Sequence, residues 1–255
     1  FRRWEQLTPD CLDQGPALVY LPCQELPGHE DALRRWAQAY PDIGFGVVLP
    51  RVVWDRELPR LRRELEAARQ AGVTQALLGH IGQLPLARSF GLIPRGDFGL
   101  GLTNDETAAE LARLGFASAT ASFESRLAQI RDLSKPLDLE LLVYGRLPLM
   151  LMEHCILRNR GQGCHCQDKP QSLGDRKGEH FPVESAWGCR NELFNAKPLW
   201  LADKTDWRTA GAAYARLAFL REGPGECARV FRAYREGAGE PPRAFTRGLY
   251  YRGVE

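Results

Sequence analysis

The chain has 255 residues, 34 Lys+Arg against 32 Asp+Glu, a formal charge of +2 and 44% hydrophobic residues. That length and apolar fraction fit a packed domain and exclude a disordered chain, and the near-neutral balance excludes a broadly basic nucleic-acid face while leaving room for a local groove. No apolar run approaches the roughly 18–20 residues of a membrane span. The start, Phe1-Arg-Arg-Trp-Glu5, lacks both an apolar signal core and an initiator Met. The expectation is a cytoplasmic protein with no membrane contact, cut from a longer chain whose N-terminal region is a partner.

From residue 17 to 145, short apolar runs alternate with longer amphipathic stretches. Ala17–Leu21 reads as a strand and His29–Ala39 as a helix with Leu33, Trp36 and Ala37 on one face. Gly46–Leu49 is the next strand. Asp55–Gln70 carries Leu58, Leu61, Leu65 and Ala68 at helical spacing, and Gly72 stops it. Val73–Leu78 is strand-like, Leu84–Phe90 a short helix and Phe98–Leu102 a further strand. Asn104–Leu114 opens on a capping residue followed by acidic ones, and Gly115 ends it. Ser118–Ser122 and Leu139–Tyr144 read as strands flanking a helix at Glu124–Leu133.

This alternation predicts a parallel α/β architecture. With about six repeats and no GxGxxG loop, an incomplete or distorted (β/α) TIM-like barrel fits better than a dinucleotide-binding sheet. Residues 1–255 are read as a single domain. Its regularity breaks at 146–206, a stretch rich in Gly, Cys, Asn, Asp and Pro with no long period. It reads as an irregular, cysteine-bearing insertion before a last β/α unit, Tyr214–Leu220 and Glu226–Arg235.

Seven cysteines would place about one in any 35 residues, yet Cys155, Cys164, Cys166 and Cys189 crowd into one such window. Cys11, Cys23 and Cys227 are dispersed. In a reducing compartment, clustered thiols point to metal or redox chemistry rather than to disulfides. The spacing C-x8-C-x-C-x22-C lacks the paired units of a zinc knuckle and suits the separated corners of a 4Fe–4S cluster, with zinc as the alternative. His154, His165 and His180 are candidates to replace one cysteine, though a lone histidine is more often structural.

Barrel chemistry sits at the C-terminal ends of strands. Those ends offer Arg51 and Arg146 as an anion clamp, Glu124 as a further catalytic candidate, and His80 in a Gly-rich loop. Each also has a bland reading: an arginine paired with a carboxylate, or a glutamate serving a helix dipole. No GxSxG or HExxH motif is present. The run of arginines from Arg51 to Arg69 alternates with glutamates, as on a solvated helix face.

Several blocks resemble the collagenase-like peptidase family U32, in the C-terminal barrel portion of its longer members. They are Tyr144-Gly-Arg-Leu-Pro-Leu-Met-Leu-Met-Glu-His-Cys155, Cys164, Leu173-Gly-Asp-Arg176, His180-Phe-Pro-Val183, Cys189 and Glu192-Leu-Phe-Asn195. Upstream, Leu49-Pro-Arg51, Gly79-His-Ile-Gly-Gln83, Gly96-Asp-Phe98 and Ser122-Phe-Glu124 match too, as does the tail Thr246–Gly253. Ile156 stands where the family commonly has proline. The resemblance implies a β/α barrel and a 4Fe–4S cluster on Cys155, Cys164, Cys166 and Cys189. It also implies oxygen-independent hydroxylation of rRNA, tRNA or a quinone ring, with prephenate as a small anionic oxygen donor that Arg51 and Arg146 would bind. RNA is the leading substrate. The alternatives are a collagenase-like peptidase and a non-catalytic, metal-stabilised RNA-binding or assembly module.

Overall fold

The computed structural model of the chain describes residues 1–156, 158 and 170–253. A single turn, α1 (Pro9–Leu12), leads into β1 (Leu18–Pro22), α2 (Glu30–Ala39), β2 (Gly44–Val48), α3 (Leu58–Gln70), β3 (Gln75–Leu78) and α4 (Leu84–Ser89). Then follow β4 (Ile93–Gly96), α5 (Asp105–Arg113), β5 (Ser118–Thr120), α6 (Leu127–Asp132) and β6 (Asp138–Gly145). The strands β1 to β6 pair in sequence order, all parallel.

Much later, β12 (Tyr214–Ala218) adds in parallel to β6 and is followed by α7 (Pro224–Glu236). The seven parallel strands make an incomplete (β/α) barrel, because β1 and β12 each pair with one strand only. A two-residue strand, β11 (Leu199–Trp200), runs antiparallel on the end of β6.

The helices form for local reasons. In α3, Leu61, Leu65 and Ala68 recur at i, i+4 and i+7 and are buried, so the apolar stripe docks on the sheet. Asn104 Oδ1 accepts the Thr107 amide at 2.8 Å and starts α5. Along β6 the period-2 alternation separates two environments. Glu140 and Leu142 face the interior cavity, and Leu139, Leu141 and Val143 join the apolar core.

Three sequence expectations need correction. The strand after α4 is Ile93–Gly96, not Phe98–Leu102. Phe98–Leu100 is a 3₁₀ turn, and only Leu102 makes an isolated bridge, to Ala121. Pro94 and Gly96 disguise β4 as a loop; Pro94 has no N–H for the ladder, and its carbonyl accepts from the Ala117 amide at 2.9 Å. The helix placed from Glu124 starts at Leu127, because Arg126 is extended (φ −71, ψ 151) after a turn in which the Ser125 amide donates to the Ser122 carbonyl.

The stretch at 146–206 is less irregular than its composition suggests. It holds β7 (Pro148–Met152), β8 (Gln171–Gly174), β9 (His180–Ala186) and β10 (Arg190–Phe194), an antiparallel sheet in the order β7-β10-β9-β8. β7, β8 and β9 are short and partly exposed, and β10 is buried but carries Arg190, Asn191 and Glu192, so no apolar alternation marks them. No helix among the described residues is long and apolar enough to cross a membrane.

Candidate functional site

A cavity of about 470 Å³ opens at the C-terminal ends of the parallel strands and along the seam between β1 and β12. Leu18 and Tyr20 line one side of the seam, and Tyr214, Arg216 and Ala218 the other. The antiparallel sheet lies over the mouth, with Leu151 from β7, Trp187 from the β9–β10 turn, and Arg190, Glu192 and Phe194 from β10 in the lining. Mouth and lid are joined by charge. Arg2 reaches Glu192 at 2.7 Å, Arg190 reaches Glu57 at 3.0 Å, and Arg221 pairs with Glu184.

Arg51 and Arg146, predicted from strand ends, both line this one cavity. Their situations differ. Arg51 stacks over Phe98 (4.9 Å to the ring centroid) and lies 3.7 Å from Glu192, beyond hydrogen-bond distance, with 35% of its side chain exposed. It forms a loose ion pair with Glu192 and, among the described residues, makes no side-chain hydrogen bond. Arg146 donates to the carbonyls of Asn195 (3.0 Å) and Ala196, which commits it to holding the β10–β11 connection. Burial also pulls its pKa down from the ordinary arginine value. Glu124 sits exposed in the turn ahead of α6, outside the cavity lining, and His80 is likewise exposed and outside it.

The cavity floor holds an ion cluster that the sequence did not advertise. Arg216 donates to Glu140 at 2.5 and 3.1 Å and to Asp97 at 2.6 Å. Tyr20 and Ser118 hydroxyls donate to the other oxygen of Glu140, at 3.0 and 2.6 Å. Burial works to raise the Glu140 carboxyl, and the Arg216 charge with these hydrogen bonds outweighs it, leaving the group below its usual value. Arg95, also inside, donates to Gln75 and to Ser118 (2.8 Å). Residues from β1, β3, β4, β5, β6 and β12 thus meet in one polar layer. The alternation in each strand could have found the inward positions, but not the pairing of residues over a hundred positions apart. Five arginines (Arg2, Arg51, Arg146, Arg190, Arg216) face three acids (Asp97, Glu140, Glu192) in the lining, an excess of two positive charges.

Of the four clustered cysteines, Cys164 and Cys166 lie outside the described residues, as does His165. Cys155 is half-buried and Cys189 exposed. The β7–β10 register pairs Met152 with Asn191, which puts Cys155, just past β7, and Cys189, just before β10, at the same end of the ladder. The Ile156 amide donates to Asn191 Oδ1 at 2.8 Å and ties the two together. His180 opens β9 at the opposite end of this sheet, 3.3 Å from Ser172 Oγ, so the geometry separates it from the cysteines.

Cys189 is the single described non-glycine residue with a left-handed backbone (φ 62), a conformation costing a side chain about 1 kcal/mol. Among the described residues no three histidine, cysteine or carboxylate side chains gather as metal ligands. Two cysteines at one ladder end fit half of a thiolate set. The dispersed cysteines differ: Cys11, Cys23 and Cys227 are buried, and burial raises each thiol.

No family model matches the chain, and no curated protein sequence matches it. Among solved structures, the chain is similar to the U32 peptidase Mk0906 at 17% identity with a TM-score of 0.39, over 52% of this chain and 62% of that one. The chain therefore spans less than two thirds of that protein's length, and no chemistry is carried over from it.

Proposed function

We propose that the chain is an enzyme whose barrel cavity binds a small anionic ligand beneath a rim of cysteines that hold a 4Fe–4S cluster. We infer that its reaction is an oxygen-independent hydroxylation of an RNA base, with a dicarboxylate such as prephenate as oxygen donor. The observation that carries this reading is Cys189. A strained, exposed cysteine stands where glycine would be easier, on a turn whose neighbours Trp187 and Arg190 line the cavity. Cys155 at the same ladder end supplies a second thiolate, and Cys164 and Cys166 would complete the set.

A bound cluster would supply one-electron redox chemistry. The chain's own residues do the rest. Arg51, held flat by Phe98, grips a carboxylate through its guanidinium fork. The ion cluster on the floor presents the Tyr20 ring and apolar Leu142 to the body of the ligand. The lid sheet and the aromatic Trp187 exclude water.

The lining also separates this reading from peptide hydrolysis. Among the described residues it contains no Ser, Cys, His or Lys; the Thr120 hydroxyl donates to the Gly96 carbonyl, Asp97 and Glu140 are tied to Arg216, and Glu192 to Arg2. Among the described residues the lining thus offers a peptide bond no hydroxyl or carboxylate without a partner beyond the tyrosines.

Two measurements test the reading. Protein purified without oxygen is expected to be brown and to carry about four iron atoms per chain. In Cys189→Gly the colour is lost while the fold gains about 1 kcal/mol from relief of the left-handed backbone, read by urea unfolding of the metal-free chain. Colourless wild-type protein with stoichiometric zinc would sink the iron–sulfur assignment. RNA from a strain lacking the protein should lack one nucleoside heavier by an oxygen atom, and an unchanged nucleoside profile would remove RNA as substrate.

Arg51→Ala addresses the anion. It should weaken prephenate binding at least about 10-fold, the worth of one charge-assisted hydrogen-bond pair, and cost the fold under about 1 kcal/mol. Unchanged affinity by titration calorimetry would overturn the role of Arg51.

A further inference from the structure

The turn joining β9 to β10 is held far more firmly than a hairpin connection requires. Gly188 (φ 74) and Cys189 (φ 62) are both left-handed in succession. A Cβ on Gly188 would collide with the Arg190 guanidinium and come within 2.8 Å of Glu57 Oε1, so the neighbouring ion pair packs directly on the turn backbone.

Two anchors flank Cys189. On one side Trp187 is buried, and its Nε1 donates to Glu64 Oε2 at 2.9 Å. The same carboxylate accepts from Arg60 Nε at 2.8 Å and lies 3.0 Å from Cys23 Sγ, which fixes it against α3 and the end of β1. On the other side Arg190, with 2% of its side chain exposed, forks between two carboxylates. It donates to Glu57 at 3.0 and 3.1 Å and to Glu153 at 2.6 and 3.0 Å. Its Nη1 also returns to the Trp187 carbonyl at 3.2 Å and closes the loop around the turn.

Glu153 stands two residues before Cys155, and Arg190 directly follows Cys189. The Arg190–Glu153 fork therefore pins the strand carrying one cysteine to the strand carrying the other. All this bonding leaves the Cys189 side chain exposed. A network serving only the fold would be as well served by glycine at 189.

We propose that Glu57, Glu64 and Glu153 are positioning residues which, through Arg190 and Trp187, hold Cys155 and Cys189 as a preformed half of the cluster site before any metal arrives. The inference rests on the cluster reading above and adds the side chains that aim its ligands. Carboxylates and hydrogen-bond donors behind first ligands commonly govern metal affinity about 10- to 100-fold.

The experiment uses the full chain in two states. In the metal-free state, Cys189 alkylation by iodoacetamide is followed by peptide mapping in wild type, Glu57→Gln and Trp187→Phe. In the reconstituted state, iron retention against a chelator and the low-temperature electron paramagnetic resonance spectrum are compared. Both variants should keep the wild-type circular dichroism spectrum, change the Cys189 alkylation rate several-fold, lose iron about 10-fold more readily and shift the resonance. Glu57→Asp, which retains the charge, should recover most of the retention.

If the wild type takes up no iron while the variants still alter Cys189 alkylation, the positioning stands and the cluster reading fails. If the wild type holds iron and both variants match it in retention, spectrum and alkylation rate, the positioning proposal is overturned. Should Trp187→Phe not fold, Glu57→Gln carries the comparison alone.

Discussion

Arg216→Met is expected to cost the fold about 3–5 kcal/mol at neutral pH, a large share of the roughly 5–15 kcal/mol that holds a domain together. The methionine fills similar space, so the loss is electrostatic. Without the guanidinium, Glu140 (1% exposed) and Asp97 (9%) become buried charges with no counter-ion in hydrogen-bond contact, since Arg95 stays 3.8 Å from Glu140. The pH dependence has a definite sign. In the wild type the folded Glu140 carboxyl lies below its ordinary value of 4.5. Its contribution is therefore fully present above about pH 4.5 and is lost as pH falls through the folded value. In the variant the Arg216 charge is gone and burial is opposed only by the Ser118 and Tyr20 hydrogen bonds, so the carboxyl rises relative to the wild type and the fold is penalised most at neutral pH and least in acid. The gap between the two proteins should narrow from pH 7 to pH 5 in urea unfolding. An equal gap at both, or one under about 1 kcal/mol at pH 7, would show that the cluster does not carry this charge.

Gly145→Ala is expected to be at least as disruptive locally and to reach the cavity. Gly145 has φ 116, and a Cβ there would overlap the Ala218 carbonyl oxygen and lie 2.9 Å from its carbon. Both are backbone atoms of β12, so no side chain can turn aside, and the ends of β6 and β12 must part. Strain plus overlap should cost about 3 kcal/mol or more. Gly91→Ala separates the two terms. Gly91 is also left-handed (φ 69) but has nothing within 4 Å of the added carbon, so it should lose only about 1 kcal/mol. Because Arg146 follows Gly145 and borders the cavity, anion binding should weaken in the first variant and not in the second. Equal melting temperatures for the two would refute the steric account.

The β/α rhythm was legible because each unit contains its own cause: an apolar stripe at helical spacing, a short buried strand, a capping Asn104, a stopping Gly72. Arg51 and Arg146 were legible as strand-end residues, and the structure brings both to one cavity. Three features were hidden for physical reasons. In β4, Ile93-Pro-Arg-Gly96 reads as a loop, since Arg95 is buried only by virtue of Gln75 and Ser118 on neighbouring strands. The lid strands alternate weakly because β7, β8 and β9 stay partly exposed and β10 buries Arg190, Asn191 and Glu192 rather than apolar residues. Asp97, Glu140 and Arg216 look like surface charges until the barrel curls and makes them partners. Trp187 and Arg190 were passed over for a similar reason, because two of the carboxylates that hold them, Glu64 and Glu57, come from α3 and its start, more than a hundred residues earlier.

The interior ion cluster also bears on the order in which the chain assembles. Strands β1 to β6 pair each with the next, so every step closes a short loop. Arg216 meets Glu140 across 76 residues and Asp97 across 119, and no earlier residue supplies that guanidinium. Closing the roughly 70 residues between β6 and β12 costs about 1 kcal/mol more loop entropy than closing the connections of roughly 20 residues between the sequential pairs. Until that closure the two carboxylates are best left hydrated. Drying of the barrel is therefore coupled to the arrival of its last strand, a long-range contact that the pairing of β1 to β6 does not supply.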